Sequence, residues 1–182
     1  STEQWGDLLL RGLNEARSAG ITPIAIAATG PLAGYVALGN DGRALSPAVM
    51  YTDRRSAPEA KFVETIAFTQ PDDSGLRVHI ADPIPQWLRF SREFAELAQK
   101  TCYFLDATGW INFFLTGHAT VNAFTGLRLY TSDTQNLLAL KNPPFGKITP
   151  VGETIGKLRP SLTEAVGVED AHVISATFDS KC

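Results

Sequence analysis

Only two cysteines occur in the chain, Cys102 and Cys182. They are too few for a disulfide framework and fit a reducing cytoplasm, with Cys102 read as an ordinary core thiol. No stretch approaches the roughly 20 uninterrupted apolar residues of a membrane helix, and no signal-peptide pattern opens the sequence. No basic run stands out and the net charge is a mild −3, which argues against nucleic acid as a partner. The three histidines, His79, His118 and His172, are scattered without metal-ligand spacing. A Walker loop, a dinucleotide fingerprint and a nucleophile elbow are all missing, as are internal repeats and low-complexity tracts.

What is present belongs to a folded globular protein. The 182 residues suffice for one substantial domain, and 44% are hydrophobic against 19% charged. Residues 2–19 carry Trp5, Leu8, Leu9, Leu13 and Ala16 at helical spacing, with Ser1 and Gln4 as a capping box and Gly20 as a stop. The apolar run 21–29 predicts a buried strand. Residues 34–45 predict two strands around a turn at Asn40-Asp41-Gly42, where positive φ is needed, and 47–51 continue the pattern as a strand entering the core. A helix follows in 57–68, with Phe62, Val63, Ile66 and Ala67 on one face, then a loop over 69–75.

The stretch "IPQWLRFSREFAELAQK" predicts one amphipathic helix on Trp87, Leu88, Phe94 and Leu97. A shorter helix inside 103–117 is closed by Gly117. Residues 141–158 read as loop with short strand pieces, "PSLTEAVGV" as a short helix and 171–177 as a last buried strand. Strands alternating with helices imply an α/β layered fold, a mixed sheet flanked by helices.

Open α/β sheets bind ligands at the carboxyl ends of their strands, and three such ends are unusual here. In "ATFDSKC", Asp179 follows an apolar strand, where a carboxylate can serve as general base for a hydroxyl nucleophile. The plainer local reading is an N-cap. In "YTDRR", Asp53 beside Arg54 and Arg55 suits a polyhydroxylated ligand, because Asp accepts from hydroxyls while Arg donates and holds the Asp. Here too the plainer reading is a cap, for a helix starting near Ala57. In "ATGPLAG", two glycines and a proline would let backbone approach a ligand.

Taken in order along the chain, these segments resemble the FGGY carbohydrate kinases, in particular the xylulokinase and ribulokinase-like branch. That family's Ser-Gly-Gln-Met-His-Gly type loop is matched by "TGPLAG". Its Asp-Gly hairpin and aromatic-x-Asp-x-Arg turn are matched by "GNDGRALSPAVMYTDRR". Its Leu-Thr-Gly segment is Leu115-Thr116-Gly117, its Gly-Glu-x-x-Gly-x-Leu loop is "GETIGKL", and the strand to its catalytic Asp is "AHVISATFD". The resemblance implies an RNase H-like domain of the actin and hexokinase ATPase superfamily. It implies ATP-dependent phosphorylation of a sugar hydroxyl, most readily on a ketopentose such as xylulose or ribulose, in the cytoplasm. ATP with its Mg2+ and the sugar are the implied partners, and a homodimer is left open. Asp179 would be the general base, and Leu32, Ala33, Tyr51, Asp53 and Arg55 would line the sugar side.

Leu32-Ala33 replace the Met-His of xylulokinase-like members, Tyr51 stands where Trp is common, Gln86 replaces the Lys of a Pro-Lys pair, and Asn122 and Thr125 replace acidic positions. A signature of glycerol kinases, Asn-Gln-Arg-Glu-Thr, is missing. A kinase for another polyol, or a catalytically silent sugar-sensing or scaffold member, is the alternative. The chain begins at Ser1 within a helical pattern and stops at Cys182. Residues 1–182 are therefore expected to be a sugar-side part of the first domain, without the family's Asp-x-Gly-Thr phosphate hairpin or its nucleotide domain, and inactive alone.

Overall fold

The computed structural model describes residues 1–31, 34–67, 78–127 and 144–177. Helix α1 (Thr2–Ser18) starts as its sequence dictates, with the Ser1 hydroxyl accepting from the Gln4 amide and the Gln4 side chain returning to the N-cap. Strand β1 (Ala25–Ala27) follows, then β2 (Tyr35–Leu38), α2 (Ala57–Ala67), α3 (Pro83–Glu93), α4 (Ala95–Lys100), β3 (Tyr103–Asp106) and α5 (Ala107–Thr116). The chain continues through β4 (Thr120–Asn122), α6 (Ala123–Leu127), β5 (Lys147–Thr149), β6 (Thr154–Lys157), α7 (Pro160–Val166) and β7 (His172–Ile174).

The strands pair in three groups, giving the mixed α/β architecture expected. β7 lies between β1, which it meets in parallel, and β6, which it meets antiparallel with an irregularity between Thr154 and Gly156. β2 and β3 form an antiparallel pair, and β4 and β5 a parallel one. The β2–β3 pair divides the interior. Successive side chains of a strand face opposite ways, so Val36, Leu38 and Leu105 join α5, α7 and β7 in one core. Tyr35, Ala37 and Phe104 enter a second core with Ala81 and Phe90. There the rings of Tyr35 and Phe104 stack at 5.3 Å, and Phe90 and Trp87 close on Phe104 at 5.7 and 5.3 Å. Both faces of β2 are therefore dry, and α3 is fixed by aromatic packing against Phe104 of β3.

Four expectations need correction. The run 21–29 is not a buried strand: β1 is an edge, and Ile24 is 82% exposed. Residues 47–51 skirt the core instead of entering it as a strand, with Ala48 packed partly buried against it. They are tied to β2 by a single bridge, Tyr35 to Val49, and Met50 and Tyr51 are exposed. The single helix expected over 84–100 breaks at Phe94, whose φ of −131° and ψ of 54° leave the helical region. Cys102 is exposed, not a core thiol, because it precedes β3 and only its backbone is engaged, donating to Leu38 O. The turn needs positive φ at Gly42 alone, and Gly117 closes α5 in the left-handed region.

Gly109, in the first turn of α5, shows how tightly β4 is seated. A Cβ there would lie 2.5 Å from Thr120 O and 3.0 Å from Asp106 Oδ1. Replacing Gly by Ala inside a helix normally stabilises by about 1 kcal/mol, whereas overpacking a close contact typically costs about 1–3 kcal/mol. Backbone rather than a flexible side chain is the obstacle, so the cost wins. Gly109→Ala is expected to lower the urea midpoint, and a midpoint at or above that of the parent chain would show that β4 can retreat.

Candidate functional site

Two hydrogen-bonded ties link the unusual strand ends in pairs, one on each side of the first loop. After β1 the chain turns at Thr29, whose hydroxyl donates to Thr177 O at 2.8 Å, two residues before Asp179. Gly30 then passes α5 so closely that a Cβ would lie 2.9 Å from Ala107 Cβ, and its amide donates to Thr108 Oγ1. Where the loop ends, Tyr35 exchanges two backbone hydrogen bonds with Val49, at 2.8 and 2.7 Å. The first loop thus touches the strand end that leads to Asp179 on one side and the segment that leads to Asp53 on the other. Leu32, Ala33 and Asp179 themselves lie outside the described residues.

Asp53 sits in a tight turn ahead of α2. Its Oδ1 accepts from the Arg55 amide at 3.0 Å, an Asx-type turn rather than a helix cap. Arg55 Nε lies 2.9 and 3.0 Å from the two carboxylate oxygens, and Nη2 is 2.5 Å from Oδ2. Only 14% of the Asp53 side chain is exposed, against 65% for Arg55. Tyr51 lies on the same turn, 55% exposed, and does not line the adjoining cavity.

A second guanidinium, missed in the sequence, lies behind Asp53. Arg89 of α3 is 1% exposed. Its Nε donates to Ser56 Oγ at 3.0 Å, its Nη1 to Glu93 Oε2 at 2.8 Å, and its Nη2 lies 3.7 Å from Asp53 Oδ2. Arg92 extends the charges to the buried carboxylate of Glu59 on α2. The signal was present in the stripe Gln86, Arg89, Phe90 and Glu93, spaced i, i+3, i+4 and i+7, which places an Arg on the helix's inner face.

Asp53 and Arg89 line a cavity of about 340 Å³ between the 46–55 segment and α3. Its other walls are largely apolar, from Ala48, Val49, Met50, Phe90 and Phe94. A carboxylate acceptor beside an apolar surface can take a small molecule that has hydroxyls on one side and carbon on the other. Asp106 is a second buried carboxylate, but it is consumed locally. It caps α5 through the Gly109 amide and accepts from Thr125 Oγ1, and burial raises its pKa. Gln86 is buried and donates to Ile80 O. Among the described residues no three His, Cys, Asp or Glu side chains gather as a metal site. No helix among them is long and apolar enough to cross a membrane.

No protein-family model matches the chain. It is 28% identical to a rhamnulokinase of Oceanobacillus iheyensis, over 94% of the chain and 39% of that protein. A xylulose kinase from Rhodospirillum rubrum superposes with a TM-score of 0.82 at 20% identity, covering 97% of the chain and 40% of that structure. A gluconate kinase from Lactobacillus acidophilus does so at 0.75 and 17%, covering 94% and 39%. The chain therefore spans about two fifths of the length of the relatives it matches, and its α/β fold is the one these carbohydrate kinases share. The resemblance to the FGGY kinases read from the sequence is borne out in that fold.

The Arg55 hydrogen bond, foremost, holds the Asp53 carboxyl down at about 2 from its ordinary 3.8, against the opposing effect of burial. A carboxyl depressed on folding adds stability above its unfolded pKa and loses it as pH falls through the folded value. The stability difference between the chain and Asp53→Asn is thus expected to be constant above about pH 4 and to shrink toward pH 2. Arg55→Ala should raise the Asp53 pKa. A carboxyl resonance of Asp53 titrating in the ordinary range in the parent chain would refute the pairing.

Proposed function

We propose that the chain is the sugar-binding side of an ATP-dependent carbohydrate kinase, the phosphate hairpin and nucleotide domain lying in the remainder of the relatives' length. The observation that carries this reading is the linkage of the first loop to the other two strand ends, through Thr29 to Thr177 and through Tyr35 to Val49. Asp53 would accept from sugar hydroxyls, with Arg55 donating beside it and Leu32, Ala33 and Tyr51 shaping the approach. Asp179 would take the proton from the reacting hydroxyl. The freed oxygen then forms its bond to the γ-phosphorus as the bond to the ADP oxygen breaks. MgATP enters as substrate, and phosphoryl transfer depends mainly on positioning and charge neutralisation.

A ketopentose such as xylulose or ribulose is the leading acceptor. Rhamnulose, a ketose with a methyl terminus, is the second reading, favoured by the rhamnulokinase relative and by the apolar wall of Val49, Met50, Phe90 and Phe94. An ATP-consumption screen of the intact protein over xylulose, ribulose, rhamnulose, gluconate and glycerol separates these. Turnover of none would point to a silent sugar-sensing or scaffold member.

In the intact kinase, Asp179→Asn is expected to lower kcat by about 10²- to 10⁴-fold, as for loss of a general base, with the thermal transition unchanged. Near-normal kcat would leave Asp179 a helix cap. Asp53→Ala is expected to weaken sugar use by about 1.5–3 kcal/mol, the scale of a charge-assisted hydrogen bond, and to leave the ATP KM nearly unchanged. Equal losses for both substrates would place Asp53 outside the sugar site.

A further inference from the structure

Asp53 has a difficulty as a sugar ligand. A carboxylate offers about four acceptor directions, and Arg55 already directs three N–H groups at them, from its amide, from Nε, which the two oxygens share, and from Nη2. For Asp53 to accept from more than one sugar hydroxyl, the Arg55 guanidinium has to yield. It is free to do so, being 65% exposed and anchored only through Asp53 among the described residues. Asp53 would then lose its main restraint at the moment it is needed.

Arg89 answers that difficulty. Its guanidinium cannot swing, because Ser56 holds Nε and Glu93 holds Nη1 inside the protein. Burying a guanidinium costs several kcal/mol unless anions and hydrogen bonds compensate. A purely structural Arg would be expected to use all its donors. Here Nη2 is buried with no hydrogen-bond partner among the described residues, and it stands 3.7 Å from Asp53 Oδ2. A shift of well under an ångström would turn that separation into a hydrogen bond. We infer that Arg89 is a positioning residue of the sugar site, receiving and holding Asp53 when Arg55 turns from it toward a bound sugar. The inference rests on the kinase reading above and adds to it a residue that touches no substrate.

The test is steady-state kinetics of the intact protein with whichever ketose of the screen it phosphorylates best. Arg89→Met is expected to raise the sugar KM by about 10- to 100-fold, the range for one charged hydrogen bond, with the ATP KM within about twofold. Arg89→Lys should fall between, because an ammonium keeps the charge but cannot span Ser56 and Glu93 together. Should Arg89→Met not fold, Ser56→Ala keeps the charge and frees Nε, and is expected to raise the sugar KM by about 3- to 10-fold. A merely structural staple would shrink the active fraction and lower apparent kcat with both KM values intact. That result, or sugar and ATP KM rising together, overturns the inference and leaves the kinase reading standing. Turnover of no sugar by the parent protein overturns the kinase reading, and this role with it.

Discussion

A guanidinium held at 1% exposure organises the region around the cavity. Taken out of water, Arg89 has to be met by anions and acceptors, and each comes from a different place: Ser56 from the start of α2, Glu93 from its own helix one turn on, Asp53 from the turn ahead of α2. That requirement draws the 53–56 segment onto α3. The helix is in turn immobilised by Phe90 and Trp87 against Phe104 of β3. The chain of constraint runs from aromatic packing in the second core, through the buried cation, to the Asp53 carboxylate at the cavity. Position at the cavity is thus inherited from the core rather than from the loop.

The same logic holds at the other strand ends, with hydrogen bonds in place of charge. Gly30 can lie on α5 because it has no Cβ, and the amide it brings there is met by Thr108. At the far end of the loop that Gly30 opens, Tyr35 reaches both Val49 and Asp106 to complete β2. One short connection is clamped at its start by β7 and α5 and at its end by the 47–51 segment. Loops positioned by rigid neighbours are where binding groups can be placed accurately.

Much of this was legible in the sequence where one residue type has one physical use. Ser1 with Gln4, Gly42 at positive φ and Gly117 at the end of α5 each did what their chemistry requires. The three strand ends were legible as well, because polar and charged residues directly after apolar runs are costly unless they surface. Periodicity misled where tertiary packing decides. Phe94 continues the helical pattern, with no Gly or Pro to mark a stop, yet the helix breaks there and the ring lines the cavity. Residues 21–29 are apolar enough for an interior strand, and nothing local records that among the described residues β1 pairs with β7 alone. Arg89 was missed for the converse reason. An arginine on a helix is ordinarily solvated, and its burial depends on Asp53, 36 positions away in the chain.

The apolar wall and the charged edge of the cavity constrain each other. Met50 and Val49 face it because 47–51 is held by one bridge instead of being zipped into the sheet. A full strand there would bury those side chains and carry Asp53 away from Arg89. The departure from the expected strand is therefore what leaves room for a ligand. It also gives the segment a low cost of adjustment, since a bridge of two hydrogen bonds is easier to shift than a ladder. The buried Arg89 is the fixed polar anchor, whereas the Val49 and Met50 side of the wall is the part that can adjust.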